Sequence, residues 1–587
     1  MYMLKAEDKS AFYAQLDKMG ADYDPDECMV RREFTTRGYH TTMTGGMVHP
    51  IRESFSYAVA LLDGGRDNDI RRAWDILRKV TPLQETDPAK KTYGIWSYYL
   101  EEPLEKMSPP DWNWADFNGK EIVYILRDHV VIMDLNLQDA LTAALRNACM
   151  SIFRRNMDPG YTNISIMGTY VTLAAGELMG WNDMFEYGKS RLRHLHRHNM
   201  AAGGFLEYNS PGYTALAMTD LTRLAGDIQD AECRKLSGEL CRMAWKTIAA
   251  HFHPVTGMWA GPNARNYNWL EDRRTWTLLQ RAAGINILKG REPDFNMEWV
   301  RVEPRCPEEY LPYFSGEIGA HDASEALYEV SGDHPGRIEG KRLVAFSYIG
   351  NTYTFSSFAR CDTWNQRRTL FGHFGTQDCP GYVGIRMLHD FYDFSSGMVA
   401  SAQYMGTSMF VLNFVSDGGD THCVLDMIKN HTIRAADMRF RVLAGGPAAE
   451  GLNAQWDGGK LDIALPGARL RLDIKSAFWD GAPPVSYEVT RDGDQTCFDI
   501  VLAHSDQPVE IHMNELGASF IAGCMSLDPN ADPNGISVTQ IGESVKIEGT
   551  AGIPLSAQTS AKPVPQARWD AEVMLAGVVD ADYLDSR

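Results

Sequence analysis

Several features that define other protein classes are absent from this sequence. It has no run of about 20 apolar residues, the length that a helix needs to cross a bilayer. Its first 20 residues contain acidic side chains and lack the apolar centre of a secretory signal. Its 10 cysteines form no C-x-x-C pair, so they indicate neither a disulfide framework nor a zinc finger. We therefore expect a cytoplasmic protein without a membrane span, or a periplasmic one if a leader has been removed.

Positive charge is also scarce. The chain has 57 basic against 77 acidic residues and a formal net charge of -20. Because nucleic acids and anionic membranes bind basic surfaces, neither is an expected partner. An anionic ligand would need local positive contacts. The composition is otherwise that of a folded globular protein, and the sequence leaves a homo-oligomer open.

At 587 residues the chain exceeds the roughly 250–300 residues of a single core, which favours two large domains. From about residue 50 to 290, segments such as "LQDALTAALRNACMSIFRRN" and "ISIMGTYVTLAAGELMG" place apolar residues at helical spacing between short breaks. Many helices joined by short loops pack against their sequence neighbours, and no repeat period of a solenoid appears. We predict an α/α toroid over residues 1–330 as the catalytic domain.

After the Gly, Pro and charge cluster "SGDHPGRIEGK" the pattern changes to strands. "GMVASAQYMGTSMFVLNFVSD" and "CFDIVLAHS" are rich in β-branched and aromatic residues, with turn residues between such runs. These features are typical of antiparallel sheets packed face to face. We predict an antiparallel β-sandwich over residues 331–587 that contributes to the active-site cleft, and hence an α+β multidomain fold.

The stretch "GGFLEYNSPGYTALAM" (203–218) crowds hydrogen-bonding side chains at a predicted helix entrance. Pro211 suits the first helical turn, and Ser210 before it is predicted to cap the helix. Tyr213 lies on the apolar stripe of this helix, either as a core residue or as a group lining a cavity, because a buried phenol needs a hydrogen-bond partner.

Two further runs combine aromatic and cationic side chains. "GPNARNYNW" holds Arg265 and Tyr267, and "WNQRRTLFGHFG" holds Trp364, Arg367 and, between glycine and phenylalanine, His373. Aromatic faces stack on sugar rings, and arginine forks hold carboxylates. Histidine titrates near neutral pH and is a frequent acid or base. Together these runs predict either a binding surface for sugar rings and carboxylates or a solvated loop with a few anchored side chains. A lone histidine such as His373 is more often structural than catalytic.

These motifs resemble the heparinase II/III and oligoalginate lyase superfamily of polysaccharide lyases. The resemblance rests on "EYNSPGY", "GPNARNY" and "WNQRRTLFGHFG" and implies a toroid followed by a sandwich. It implies Asn163 as the group that neutralises a uronate carboxylate, and Tyr213 and His373 as acid and base. It requires no cofactor and leaves a structural divalent cation in the sandwich open. The implied substrate-binding residues are Glu207, Tyr208, Arg265, Tyr267, Trp364, Arg367 and Tyr404.

The resemblance implies β-elimination of a uronic-acid glycan, either a polysaccharide or an oligosaccharide such as a glycosaminoglycan or alginate. This reaction removes the C5 proton beside a carboxylate, so the carboxylate has to be neutralised by preorganised donors. Tyr213 either moves both protons, or supplies one while His373 takes the other. Two alternatives stay open: a toroid-type glycoside hydrolase that uses Glu207 with Asp272 or Glu271, and a noncatalytic glycan-binding protein.

Overall fold

The computed structural model describes residues 4–35, 40–331, 338–361, 364, 366–419 and 428–575. These residues form two compact units. Unit 1 takes its described residues from Met1–Asn199, Leu216–Arg242 and Glu292–Pro304, and unit 2 from Met200–Ala215, Met243–Arg291 and Arg305–Arg587. The two units are interleaved along the chain, whereas the two domains predicted above follow one another. The predicted division at residue 330 stays a prediction.

The helices concentrate in the first half of the sequence. Within the described ranges they are α1 (Lys9–Gly20), α2 (Ile51–Gly64), α3 (Asp67–Val80), α4 (Trp114–Asp128), α5 (Leu135–Arg155), α6 (Thr162–Met179), α7 (Asn182–Ala202), α8 (Pro211–Asp227), α9 (Ala231–His251), α10 (Arg273–Ala283), α11 (Leu311–Ser315) and α12 (Gln566–Leu575).

Helices of unit 1 pack in two layers. Alternate helices touch, α2 against α4 and α4 against α6, while α3 and α5 pack beside them. Every residue of α6 from Thr162 to Gly176 is buried, which fits a helix covered on all sides. By contrast, α3 buries one stripe that includes Ala73, Leu77 and Val80. Inner helices covered on both faces and outer helices with one apolar stripe are the arrangement that the α/α toroid predicts.

The strands are antiparallel in every named pair. Within the described ranges they are β1 (Tyr23–Asp24), β2 (Met29–Val30), β3 (Arg32–Phe34), β4 (Gly46–Val48), β5 (Phe252–His253), β6 (Met258–Trp259), β7 (His321–Asp322), β8 (Glu325–Val330), β9 (Ile338–Ile349), β10 (Thr354–Arg360), β11 (Leu370–Gly375), β12 (Pro380–His389), β13 (Tyr392–Asp393), β14 (Gly397–Tyr404), β15 (Thr407–Phe414), β16 (Thr432–Gly445), β17 (Lys460–Leu465), β18 (Ala468–Phe478), β19 (Ser486–Asp492), β20 (Gln495–His512), β21 (Phe520–Ser526), β22 (Asn534–Ile541), β23 (Ser544–Ala551) and β24 (Ile553–Ser560).

Unit 2 contains a sandwich of two large sheets. A ten-stranded sheet has the order β19-β20-β16-β12-β11-β10-β9-β7, with β13 beside β12 and β8 beside β9, and a five-stranded sheet has the order β14-β15-β21-β18-β17. Their shared core joins Phe355 and Val383 of the first sheet to Phe410 and Leu470 of the second. A third sheet, β22-β23-β24, buries its apolar residues against the five-stranded sheet. The predicted fold class, a helical toroid with a β-sandwich, is confirmed.

Candidate active site

Helix α8 begins at Pro211, as predicted, and the chain entering it is fastened by amide side chains. Asn209 has a left-handed backbone (φ 45°), which asparagine tolerates better than most residues. Its Nδ2 donates to the carbonyls of Ala260 (2.8 Å) and Pro262 (3.1 Å). In return, Asn263 Nδ2 donates to the Asn209 carbonyl at 2.6 Å. These buried bonds hold the α8 entrance against the loop that carries Arg265.

The Ser210 hydroxyl bonds the backbone of this loop and not the N-terminus of α8. Its hydroxyl oxygen accepts the backbone N–H of Arg265 (3.0 Å) and donates to the Tyr208 carbonyl (3.2 Å). The residue stands directly before α8, as predicted, but the hydroxyl does not provide the predicted cap. It instead fixes the backbone from which the Arg265 side chain projects.

The Arg265 guanidinium is held at all three of its nitrogens. Nη1 donates to Glu207 Oε1 (2.6 Å), Nη2 to the Tyr213 hydroxyl (2.9 Å) and Nε to Gln366 Oε1 (3.2 Å). The guanidinium carbon also lies 4.1 Å from the centre of the Tyr213 ring. A cation therefore faces both the hydroxyl and the π-face of one tyrosine.

Tyr213 is partly exposed and borders solvent through Tyr267. The two hydroxyl oxygens are 3.1 Å apart, and Tyr267 is 57% exposed. Burial raises the pKa of the Tyr213 phenol, and the positive charge of Arg265 acts in the opposite direction. The resting phenol is therefore neutral, and Arg265 is placed to stabilise it when it loses its proton.

Gln366 joins this site to the segment around Trp364. Its Oε1 accepts from Arg265 Nε and from the Trp364 indole N–H (3.1 Å), while its carbonyl accepts the Asn266 N–H (2.8 Å). Gln366 was not among the predicted site residues. The signal for it is weak: one amide in "WNQRR" that the loop "GPNARNY" can reach only once the chain is folded.

Five predicted residues thus meet in one cluster within unit 2, which we call the Tyr213 cluster. Its members are Glu207, Tyr213, Arg265, Tyr267, Trp364 and the additional Gln366. Their predicted roles toward a substrate stay predictions; their contacts place the Arg265 cation and the Tyr267 hydroxyl against the hydroxyl of Tyr213.

His373 lies within β11 and is 2% exposed. Its Nε2 is 2.9 Å from the Trp269 carbonyl, so Nε2 carries the proton, and its Nδ1 is 3.3 Å from Thr354 Oγ1. Burial lowers the pKa of His373 to about 4. A buried neutral imidazole with both nitrogens engaged does not favour the predicted acid or base role.

Three predicted substrate-binding residues lie in other surroundings. Tyr208 is 2% exposed, with its hydroxyl 3.3 Å from His251 Nε2 and its ring against Phe358, so its phenol is a core group and its predicted substrate contact is not supported. Tyr404 ends β14 and packs beside the core of the three-stranded sheet. Arg367 donates to the carbonyls of Ser395 and Gly397 and lines a small cavity described below.

Asn163 belongs to unit 1, whereas the Tyr213 cluster belongs to unit 2. It is 2% exposed and lies in the first turn of α6, which begins one residue earlier at Thr162. It is therefore not the residue that caps the helix. Its convergence with Tyr213 on one sugar stays a prediction.

The carboxylates of the hydrolase alternative have structural partners. Glu207 is paired with Arg265, and Asp272 caps α10 by accepting the Thr275 N–H at 3.0 Å. Burial, with the Asp272 charge adding to it, raises the pKa of Glu271 to about 8. Burial thus favours the protonated form of Glu271, and its neighbour Asp272 is occupied as a helix cap.

No three His, Cys, Asp or Glu side chains of the described part of the chain come together as ligands for a metal ion. His422, a histidine of the predicted sandwich and so of a residue type that binds zinc, is outside the described residues. The sandwich cation that the resemblance left open stays untested. No helix within the described ranges combines the length and apolar character that a bilayer span requires.

Comparisons with known proteins find one matching domain family and several similar solved structures. Residues 12–292 match a domain of unknown function, DUF8769, and no curated protein sequence matches. Similar solved structures include "Crystal Structure of Heparinase III" (11% identity, TM-score 0.43, covering 87% of this chain and 82% of that chain). Another is a heparinase III with methylated lysines (10%, 0.38, 87% and 83%). A third is the Streptomyces coelicolor A3 chondroitin AC lyase in complex with chondroitin sulphate (9%, 0.32, 89% and 96%).

These names belong to the polysaccharide lyases that the sequence motifs resemble. At identities of 9–11% and TM-scores below 0.5, the function of this chain has to be inferred from its own side chains.

Proposed function

We propose that the protein is a lyase that cleaves uronic-acid-containing glycans by β-elimination, with Tyr213 as the proton-transfer group. The observation that supports this most strongly is the contact of Arg265 with Tyr213: Nη2 bonds the hydroxyl at 2.9 Å while the guanidinium covers the ring. A cation held against a phenol lowers the cost of forming a phenolate, which is the base that the reaction needs.

The proposed reaction uses one residue for both protons. The Tyr213 phenolate takes the C5 proton, the C–H electron pair becomes the C4=C5 double bond, and the C4–O4 bond breaks. Tyr213 then returns its proton to O4, which regenerates the phenolate. The amide of Asn163 neutralises the uronate carboxylate in this proposal, a role that rests on the motif resemblance. Arg265 and the Tyr267 hydroxyl stabilise the phenolate through the bonds described above.

His373 has no step in this scheme. Its Nε2 hydrogen is used by the Trp269 carbonyl and its ring is enclosed in the sheet, so a substrate proton has no free nitrogen to reach. The surroundings of His373 therefore support the single-residue route over the route that uses both residues.

Direct assay distinguishes the lyase from the two alternatives. Oligosaccharides of alginate, chondroitin, heparan, ulvan and pectin are incubated with the protein, and the ultraviolet absorbance and product masses are recorded. Elimination is expected to produce a C=C conjugated to the carboxylate, with new absorbance and no added water in the products. A hydrolase would add one water per cut without absorbance, and a glycan-binding protein would leave every substrate intact.

The pH dependence of kcat/KM tests whether the phenolate is the base. Because burial raises the pKa of Tyr213, the phenolate is a minor species at neutral pH, and its fraction grows tenfold for each pH unit. We expect log kcat/KM to rise with a slope of about one between pH 6 and 9. The measurement is a pH profile on the best substrate of the panel, within the range where thermal melting shows a folded protein.

A different profile would contradict this assignment. His373, with a pKa lowered to about 4, would produce a rise near pH 4 and a plateau above it. A plateau across pH 6–9 would therefore exclude Tyr213 as the base and indicate that a group of low pKa is the base.

A further inference from the structure

Arg368 is a buried cation without a carboxylate partner in the described part of the chain. It is 8% exposed, and its guanidinium lies 4.3 Å from the centre of the Trp269 ring. Its hydrogen bonds are long, from Nη2 to the Tyr267 carbonyl (3.3 Å) and from Nη1 to the Arg367 carbonyl (3.5 Å), and its Nε is buried without an acceptor. Since buried charges are normally paired, this arginine calls for an anion.

Arg386 supplies a second positive charge with an available fork. Its Nε donates to Asp393 Oδ1 at 2.7 Å, and within the described residues its two terminal nitrogens have no hydrogen-bond acceptor. Both Arg386 and Asp393 act electrostatically on Arg368, and burial lowers the pKa of Arg368 to about 10. Asp393 is thus the ion-pair partner of Arg386, while Arg368 has no ion pair in the described part of the chain.

A cavity of about 30 Å³ is lined by Arg386 and by Arg367 and Thr369, the two chain neighbours of Arg368. Its lining combines polar and charged residues, among them Arg386, Asp393 and Ser395, with apolar residues such as Ile385 and Leu412. The volume accommodates small polar groups such as one or two waters or the oxygens of an acidic substituent. Arginine forks match carboxylates and sulfates through paired N–H donors, so the lining suits such a substituent.

The cavity adjoins the Tyr213 cluster through shared residues. Trp364 lines the cavity and also donates to Gln366 Oε1, the atom that accepts from Arg265. Tyr267 accepts from Arg368 through its carbonyl and contacts Tyr213 through its hydroxyl. Trp364 is thus both a wall of the cavity and a member of the Tyr213 cluster.

We propose that Arg386 and Arg368 form a subsite for an acidic group, a carboxylate or a sulfate, on a sugar adjacent to the one that is cleaved. The identity of the cleaved sugar rests on the function proposed above. The subsite selects glycans whose neighbouring sugars both carry acidic groups, such as a polyuronate or a sulfated glycosaminoglycan. In this proposal Arg386 contacts the anion, and the buried charge of Arg368 adds to the positive potential around it.

Binding calorimetry tests this subsite without requiring turnover. The full chain carrying Tyr213→Phe is titrated with hexasaccharides of alginate, chondroitin 4-sulfate and unsulfated chondroitin. In unsulfated chondroitin the sugar next to each uronate has no acidic group. Arg386→Gln or Arg368→Met is then added to this protein. If the bound group is a carboxylate, either change is expected to raise the Kd for alginate at least tenfold. If it is a sulfate, the Kd for chondroitin 4-sulfate is expected to rise by that factor instead. Unsulfated chondroitin should change less than twofold.

Two controls keep the test independent of folding and of the proposed reaction. Arg491→Gln removes an arginine on β19 whose Nη2 donates to the Leu452 carbonyl, and should change no Kd. Arg368→Met keeps the stem on Trp269 and removes an unpaired buried charge, so its melting temperature should not fall. Three results would overturn the subsite. The Kd values of all three hexasaccharides could change equally, the arginine variants could change Kd no more than Arg491→Gln does, or no hexasaccharide could bind. Binding that depends on Arg386 without elimination by the parent protein would instead refute the proposed function alone.

Discussion

Tyr213→Phe is expected to lower kcat for elimination by about 10³-fold or more, because general acid and base catalysis by one side chain contributes roughly 10²–10⁴-fold and this residue performs both transfers. Phenylalanine keeps the ring under the Arg265 guanidinium and removes only the hydroxyl. The change should therefore leave KM within about threefold and place the loss in kcat. Initial rates of ultraviolet absorbance on the best substrate of the panel measure it.

Two other tyrosine variants set the scale for this loss. Tyr267→Phe removes the hydroxyl 3.1 Å from that of Tyr213 and should cost about tenfold, because the phenolate loses one hydrogen bond from a neutral donor. Tyr487→Phe, on β19 and packed on Trp456, should leave the rate unchanged. A Tyr213→Phe protein with more than one tenth of the parent rate would exclude Tyr213 as the proton-transfer group.

Much of the fold follows from patterns that a single sequence displays. The run "ISIMGTYVTLAAGELMG" is apolar on nearly every side, and it forms the inner helix α6. Pro211 can occupy only the first turn of a regular helix, and α8 begins there. The interleaving of the two units had no such signal, because it depends on contacts between segments far apart in the chain.

The site was predictable where its residues share short loops. Arg265 and Tyr267 stand among Gly, Pro and Asn residues, Trp364 stands beside an Asn, and the paired loops bring all three to Tyr213. Burial could not be predicted in the same way. Tyr208 follows Glu207 directly, yet its side chain enters the core, and His373 lies in a strand whose six residues are all buried. Which side of an extended segment faces the protein depends on what packs against it.

Arg265→Met is expected to lower kcat by about 10²–10³-fold, the usual cost of removing one preorganised donor from a developing anion. Because the Arg265 charge holds down the pKa of the Tyr213 phenol against the effect of burial, its removal raises that pKa further. Less phenolate is then present at any given pH, so the loss should persist across pH 6–9 and the profile should stay linear. Arg265→Lys keeps a positive charge but cannot bond Glu207, Gln366 and Tyr213 together, and we expect an intermediate loss.

Arg291→Met is the matched control for this variant. Arg291 also pairs with a carboxylate, that of Asp378, and lies 5.4 Å from the Trp276 ring, but it has no contact with Tyr213. Its replacement should change kcat less than twofold while testing the general cost of removing such an arginine from unit 2. If Arg265→Met and Arg291→Met fell by the same factor with similar drops in melting temperature, Arg265 would be a structural residue. The cation acts through the phenol if Arg265→Met lowers kcat, Arg291→Met does not, and Arg265→Met causes no further loss in a protein that already carries Tyr213→Phe. Two residues that act together lose the same catalysis when either one is removed.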